Sequence, residues 1–218
     1  MKKVDIDKIY SILKKETRKY KVPIVDLIKI KSGSAFNVLL GTILSARTKD
    51  ETTAVAAKKL FSKVKNFEDL KSLSVKEIEQ LIYPVGFFRN KARYLKELPS
   101  AIKKEFNSVI PETVDELVKL PGVGRKTANL VVAVGFQKPA VCVDVHVNRI
   151  MNRFGYLKTK TPFETEMVLR KKLPIKYWEK INSMLVAFGQ HLCTPVSPWC
   201  SRCPIIDCCN QIGFKTKR

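Results

Sequence analysis

Apolar residues recur along most of the chain at the three- and four-residue spacing of α-helices. One buried helical face is formed by Phe36, Leu39, Leu40, Ile43 and Leu44. The same spacing recurs over residues 6–13 and in a last long helix over about 177–191. The alternation over 141–147 is too short and isolated to build a sheet. The pattern therefore predicts an all-α fold.

Local signals mark where these helices begin and end. Three capping boxes predict helix starts: Ser74 with Glu77, Thr113 with Glu116, and Thr161 with Glu164 followed by Pro162 at the first helical position. Gly86, Gly135 and Gly155 are placed where helices should stop. Pro99 interrupts the helical pattern of residues 90–106 and is expected to kink or split that helix. No flexible linker divides the chain, so any domain boundary lies between packed helices.

The charge of the chain points to a polyanionic partner. The 218 residues contain 41 Lys and Arg against 20 Asp and Glu, a net charge of +21, while 45% hydrophobic residues support a folded core. The basic residues are spread along the chain rather than held in one polybasic block, which favours nucleic acid over an anionic membrane.

Neither a secretory signal nor a membrane span is evident in the sequence. Asp5 and Asp7 interrupt the N-terminus before an apolar region forms, and no apolar run approaches the roughly 20 residues of a span. We therefore expect a cytoplasmic, nucleoid-associated or nuclear protein that is not secreted. Thiols stay reduced in these compartments, so the six cysteines are not expected to form a disulfide set.

A glycine-rich turn lies between two helical patterns over residues 120–128. Gly122 and Gly124 permit a tight turn whose backbone amides face outward, and Val123 can tuck beneath it. Amides at a helix start bind anions, so the turn suits a phosphodiester oxygen. An ordinary glycine-rich connector is the alternative, but this turn opens a helix in a strongly basic chain.

Lys126 lies in the first turn of the helix that follows. Its positive charge faces the positive end of the helix dipole, which is a poor place for a structural lysine. The same field, together with partial burial, favours the uncharged amine that acts as a nucleophile. A solvated lysine, or one that pairs with phosphate, is the alternative interpretation.

Asp144 precedes a helical stretch that ends near Phe154. Its ordinary role there is that of an N-cap. A capping carboxylate also points into the space before the helix, where it can stabilise positive charge that develops on a sugar or an iminium ion. The two roles are compatible. His146, close by, is read as a structural hydrogen-bonding group.

Four cysteines near the C-terminus form a compact metal-binding pattern. Cys193, Cys200, Cys203 and Cys209 follow C-x6-C-x2-C-x5-C. Zinc sites more often use two close pairs separated by a longer loop, so an iron–sulfur cluster suits the spacing better, although zinc stays open. Cys208 is an alternative to Cys209 as the fourth ligand.

The hairpin, the lysine, the aspartate and the cysteine pattern, in that order, resemble the endonuclease III family of helix-hairpin-helix DNA glycosylases. The resemblance covers nearly the entire chain. It implies a two-lobed helix-hairpin-helix fold with a C-terminal cluster loop. One six-helix lobe would span 28–138, and residues 1–27 plus 139–218 would form a second lobe that carries a [4Fe-4S] cluster.

The resemblance also implies a reaction and its two central residues. Lys126 matches the family's nucleophile and Asp144 its catalytic carboxylate. The enzyme would be a bifunctional glycosylase and AP lyase of base excision repair, acting on oxidised pyrimidines in damaged double-stranded DNA. We expect it to work as a monomer without a membrane partner.

Two further segments match DNA-contacting positions of the family. Leu44-Ser-Ala-Arg47 resembles the family's LSAQ, and the segment 86–91, Gly-Phe-Phe-Arg-Asn-Lys, resembles its GLYNSK. Phe87 would be an apolar wedge, with core packing as the alternative. Arg47 replaces a glutamine, which leaves the opposite-base preference open. The loop between the first two cysteines lacks the family's basic residues, so Arg202 is the candidate phosphate contact in that region.

Two rival functions are compatible with many of these features. Another enzyme of the superfamily, specific for uracil or for mismatched bases, would share the fold, but its members typically lack a lysine at the position of Lys126. A non-catalytic, metal-stabilised DNA-binding module is the alternative from a different class.

Overall fold

The helical periodicity of the sequence appears in the computed structural model, which describes residues 2–20 and 34–218. These residues form helices joined by loops, with no strand among them. The helices are α1 (Ile6–Glu16), α2 (Ala35–Ser45), α3 (Asp50–Lys63), α4 (Phe67–Ser72), α5 (Val75–Ile82), α6 (Phe88–Phe106), α7 (Val114–Leu117), α8 (Arg125–Leu130), α9 (Val145–Phe154), α10 (Pro162–Lys172) and α11 (Trp178–His191). The all-α prediction is confirmed.

The chain divides into two compact units. We call Pro23–Lys138 the hairpin unit, and Met1–Val22 with Pro139–Arg218 the cysteine unit. The sequence-based boundary between residues 27 and 28 lies outside the described residues. None of the described helices is both long enough and apolar enough to cross a membrane.

The hairpin unit is built around α2. Residues 38–44 are buried without interruption, so this helix is enclosed on every side rather than on the one face that the spacing predicts. Helices α4 and α5 pack against the long helix α6. The apolar side of α6 presents Leu95, Leu98 and Ile102 to the core. A π-helical segment, Val131–Gly135, continues α8 and packs on α2.

The cysteine unit is a second bundle with its own core. Helices α9 and α11 pack together, and α1 lies against α11. Fully buried side chains such as Ile9, Leu13, Ile150, Leu185 and Phe188 fill the space between them. The loop that carries five of the six cysteines follows α11. Its fold is supported by the end of the chain, because the amide of Arg218 donates to Pro198 O at 2.9 Å.

Most of the predicted helix ends agree with the structure. Ser74 and Glu77 form the full reciprocal capping box, and the Thr113 and Thr161 hydroxyls each accept from the amide three residues on. Gly155 ends α9 with a φ of 79°. Gly86, by contrast, precedes α6 rather than ending a helix.

Pro99 does not split its helix. Helix α6 runs from Phe88 to Phe106 through the proline. A proline inside a helix costs about 3 kcal/mol. Burial of three apolar side chains beside it, each contributing about 1.5–3 kcal/mol, outweighs that cost.

Candidate functional site

The hairpin of the first unit has the turn that the glycines predict. Val123 is buried and its amide donates to Leu120 O at 3.2 Å, while Gly122 and Gly124 are exposed. Gly122 has a φ of +74°, and a Cβ there would lie 2.7 Å from the Tyr94 ring. A Cβ on Gly124 would meet no protein atom within 4 Å. The outer face of the turn is therefore open to a ligand's approach.

Lys126 is the second residue of α8, directly after this turn. Its side chain is exposed, so the expectation of partial burial is wrong. The reason is local, because the buried face of α8 is taken by Thr127, Ala128 and Asn129. Exposure leaves the amine accessible to a large ligand.

Asp144 caps α9 in the cysteine unit, as predicted. Its Oδ1 accepts from the amides of His146 at 2.9 Å and Val147 at 3.0 Å, and the residue is only 8% exposed. The two amides and the helix dipole hold the carboxylate in one orientation. His146 Nδ1 lies 3.2 Å from a guanidinium nitrogen of Arg149, which agrees with a structural role for this histidine.

Two segments of the hairpin unit meet at one rim and bring two predicted residues together: 44–48, where α2 ends and its loop begins, and 86–91, where α6 begins. The Arg47 guanidinium lies 5.6 Å from the centroid of the Phe87 ring. Both residues have left-handed backbones, with φ of 52° and 58°. Phe87 is 59% exposed, so the alternative of core packing is wrong for this residue. An exposed aromatic with a stacked arginine is suited to contact with nucleobases.

Sequence reasoning missed the lysine that ties these loops. Lys91 is 5% exposed, and its Nζ donates to Leu44 O at 2.7 Å, Ala46 O at 2.6 Å and Thr48 Oγ1 at 3.0 Å. Burial lowers the pKa of Lys91 to about 8. A signal was available, because helical spacing places residue 91 on the same face as Leu95, Leu98 and Ile102.

The four predicted metal ligands surround one cavity in the cysteine unit. It is lined by Cys193, Cys200, Cys203 and Cys209 together with apolar residues and Arg153. Cys208 is not among the lining residues. Within the described residues, no three His, Cys, Asp or Glu side chains converge on the position of a single ion.

Polar groups of the chain point at the sulfurs of this cavity. An Arg153 guanidinium nitrogen lies 3.4 Å from Cys193 Sγ, and the Gln211 amide lies 3.3 Å from Cys209 Sγ. Burial raises the pKa of the Cys203 thiol to about 12. Thiolates gathered around one cavity need a cation to compensate their charge, so the donor set fits a metal group.

Arg202 lies beside this cavity. Its guanidinium is 4.1 Å from the centroid of the Trp199 ring and the residue is exposed. A phosphate contact by Arg202 stays a prediction.

Comparison with known proteins agrees with this combination of fold and sites. Residues 40–174 match the family model of the HhH-GPD superfamily base excision DNA repair protein. Endonuclease III of Thermotoga maritima is 44% identical over 82% of this chain and 84% of its own length.

Solved structures match as well. One is a non-covalent endonuclease III–DNA complex (TM-score 0.81, 32% identity, covering 96% of this chain and 97% of that one). Another is a trapped endonuclease III–DNA covalent intermediate (TM-score 0.76, 37% identity, covering 82% of this chain and 84% of that one).

The helical fold, the hairpin and the cysteine loop define a helix-hairpin-helix DNA repair protein. The chain belongs to the HhH-GPD superfamily of base excision DNA repair proteins and, within it, to the endonuclease III family. The resemblance inferred from its motifs is confirmed.

Proposed function

We propose that the chain is a bifunctional DNA glycosylase and AP lyase that removes oxidised pyrimidines from duplex DNA. The observation that carries this proposal is the exposed amine of Lys126 at the start of α8, directly after an open glycine turn. The net charge of +21 supports a polyanionic substrate, and base excision repair is the activity of the superfamily. The protein would act where chromosomal DNA lies, in the cytoplasm or the nucleus.

In this proposal the Nζ of Lys126 attacks C1′ of a nucleotide that has been flipped out of the duplex. A bond forms between Nζ and C1′, and the bond from C1′ to the base breaks with its electron pair leaving on the base, which takes up a proton. The nitrogen lone pair then breaks the C1′–O4′ bond and opens the sugar ring, O4′ takes up a proton, and a protonated Schiff base joins Nζ to C1′. Loss of a proton from C2′ then expels the 3′ phosphate.

The carboxylate of Asp144 is assigned the stabilisation of positive charge that develops on the sugar and the iminium. The amides of His146 and Val147 keep it oriented. Asp144 would thus be both the N-cap of α9 and a catalytic group.

Duplex DNA would be held through its backbone and opened at the lesion. The exposed amides around Gly122 and Gly124 are assigned to a phosphate, with buried Val123 supporting the turn from below. Phe87 and Arg47 are assigned to the gap that the flipped nucleotide leaves. Arg202 is assigned to a phosphate on the side of the cysteine unit.

The cysteine cavity is assigned to a [4Fe-4S] cluster held by Cys193, Cys200, Cys203 and Cys209. The cavity and its mainly apolar wall are consistent with a polynuclear group, and the N–H groups directed at two sulfurs would stabilise thiolate ligands. The cluster would supply a structural cross-link for the loop. The division into a lobe of 28–138 and a lobe of 1–27 plus 139–218 belongs to the same proposal.

Borohydride trapping tests the proposed function. A duplex containing thymine glycol or an abasic site should give a covalent adduct with the wild type and none with Lys126→Ala. Lys119→Ala removes another exposed lysine just before the hairpin and should trap like the wild type. Equal trapping by Lys126→Ala would refute the nucleophile. Excision of uracil but not of thymine glycol would point to the other substrate class.

A further inference from the structure

Each N–H group of the Lys91 ammonium has an acceptor within the hairpin unit. An ammonium has three N–H groups, and its three acceptors are Leu44 O, Ala46 O and Thr48 Oγ1, all within 3.0 Å. All three belong to the end of α2 and the loop that follows it. Removing the amine would leave two backbone carbonyls and a hydroxyl without this partner.

The same contacts join the loop of Arg47 to the loop of Phe87. Thr48 Oγ1 also accepts from the amide of Gly86 at 3.1 Å. The two backbones pass so closely that a Cβ on Gly86 would lie 2.6 Å from Arg47 O. The loops therefore form one hydrogen-bonded unit, with Lys91 as its only charged donor within the described network.

The backbone of this unit is held in a costly conformation. Arg47 and Phe87 have φ of 52° and 58°, a region that residues other than glycine seldom adopt. Both side chains nevertheless project from one rim, with the guanidinium over the ring. Such a geometry persists only where surrounding contacts determine it, and Lys91 donates to the residue on either side of Arg47.

We propose that Lys91 is a positioning residue that fixes the Arg47–Phe87 pair for insertion into duplex DNA. This inference rests on the proposed function, and it adds a residue that touches neither the sugar nor the base. Lys91 acts through the 44–48 loop. Its loss would let the pair move away from the gap it must fill.

Helix α6 offers a matched control. Lys96 lies on the same helix and donates to Lys71 O and Leu73 O, both at 2.6 Å. It is thus a lysine that clamps carbonyls away from the two loops. Lys96→Met removes a lysine that donates to two carbonyls from the same helix and should leave the Arg47–Phe87 pair undisturbed.

The test compares wild type, Lys91→Met, Phe87→Ala, their double variant and Lys96→Met, with circular dichroism confirming folded protein. Lys91→Met should lower single-turnover excision from a thymine glycol duplex by about tenfold. If it acts through Phe87, the double variant should be no slower than the slower single variant. Trapping on a single-stranded abasic oligonucleotide, where no base must be extruded, should be unchanged.

The inference would be overturned if the excision rate of the double variant fell by the product of the two single-variant factors. It would also be overturned if Lys96→Met slowed excision as much as Lys91→Met does. If Lys91→Met does not fold, Thr48→Val removes the shared hydroxyl with little change in volume and should give the same pattern. Affinity for a duplex carrying a tetrahydrofuran abasic analogue provides a readout that needs no turnover. If the wild type formed no trapped adduct, the proposed lyase activity would be rejected. If the wild type trapped normally but Lys91→Met changed neither excision from the thymine glycol duplex nor affinity for the tetrahydrofuran duplex, only the role of Lys91 would be rejected.

Discussion

Each unit holds one irregular loop with a cationic side chain that donates to oxygens of that loop. The two loops differ in whether their remaining polar groups also find partners within the chain. In the hairpin unit, Lys91 places three donors on three oxygens. In the cysteine unit, Arg153 of α9 donates to Thr194 O and Pro195 O, both at 2.6 Å, and approaches Cys193 Sγ. Within the described atoms, however, Arg153 Nε has no hydrogen-bond partner, and the loop carries half-buried thiols.

This difference indicates what each loop requires. A loop whose polar groups are matched by the chain's own donors is stable without further help. A loop that clusters thiols around one cavity gains stability when those thiols bind a metal that cross-links it. We therefore expect the hairpin unit to tolerate loss of the metal and the cysteine unit to depend on it.

The largest expected effect follows from removal of one cysteine. Cys203→Ala should lose bound iron and should strongly reduce hydrogen-exchange protection in α11 and in residues 192–214, because the loop loses its cross-link. Helices α2 and α6 should keep their protection. Cys208→Ala is the control, since this neighbouring cysteine does not line the cavity. Zinc without iron in the purified wild type, or iron loss in Cys208→Ala alone, would contradict the ligand assignment.

A smaller effect is expected from the arginine clamp. Arg153 is 4% exposed, and Arg153→Met should destabilise the cysteine unit by about 3 kcal/mol, because the carbonyls of residues 194 and 195 lose their donor. Urea unfolding measures the change. Iron content should also fall, whereas Lys91→Met should keep its iron. Equal iron loss in both variants would remove the distinction between the two loops.

The smallest effect concerns pH and lies in the hairpin unit. The hydrogen bonds from Ser74 lower the pKa of Glu77 below its ordinary value of 4.5. The native state therefore favours the carboxylate, so this stabilisation is present above pH 4.5 and is lost as the pH falls through the lower native value. The difference in Tm between wild type and Glu77→Gln should be larger at pH 6 than at low pH. A constant difference would show that the charge contributes nothing.

Features that depend on residues close together in the sequence could be predicted from the sequence. Helical spacing, the Ser74 capping box and the Asp144 cap each involve residues a few positions apart, and all three are present in the structure. The cysteines were also predictable, because the four that line the cavity lie within one short segment.

Features that depend on distant partners were not predictable. Lys91 finds its acceptors 43 to 47 residues away, and Arg153 finds its own about 40 residues away. No local pattern specifies these distances. The exposure of Lys126 was missed for a related reason, since burial depends on which neighbours occupy the inner face of α8.

Peptide mapping of the borohydride-reduced adduct tests the central claim most directly. After digestion of both protein and DNA, mass spectrometry should find the residual sugar on the side chain of Lys126 in the wild type. A modification at the N-terminal amine or at another lysine, with residue 126 unmodified, would contradict the proposed chemistry.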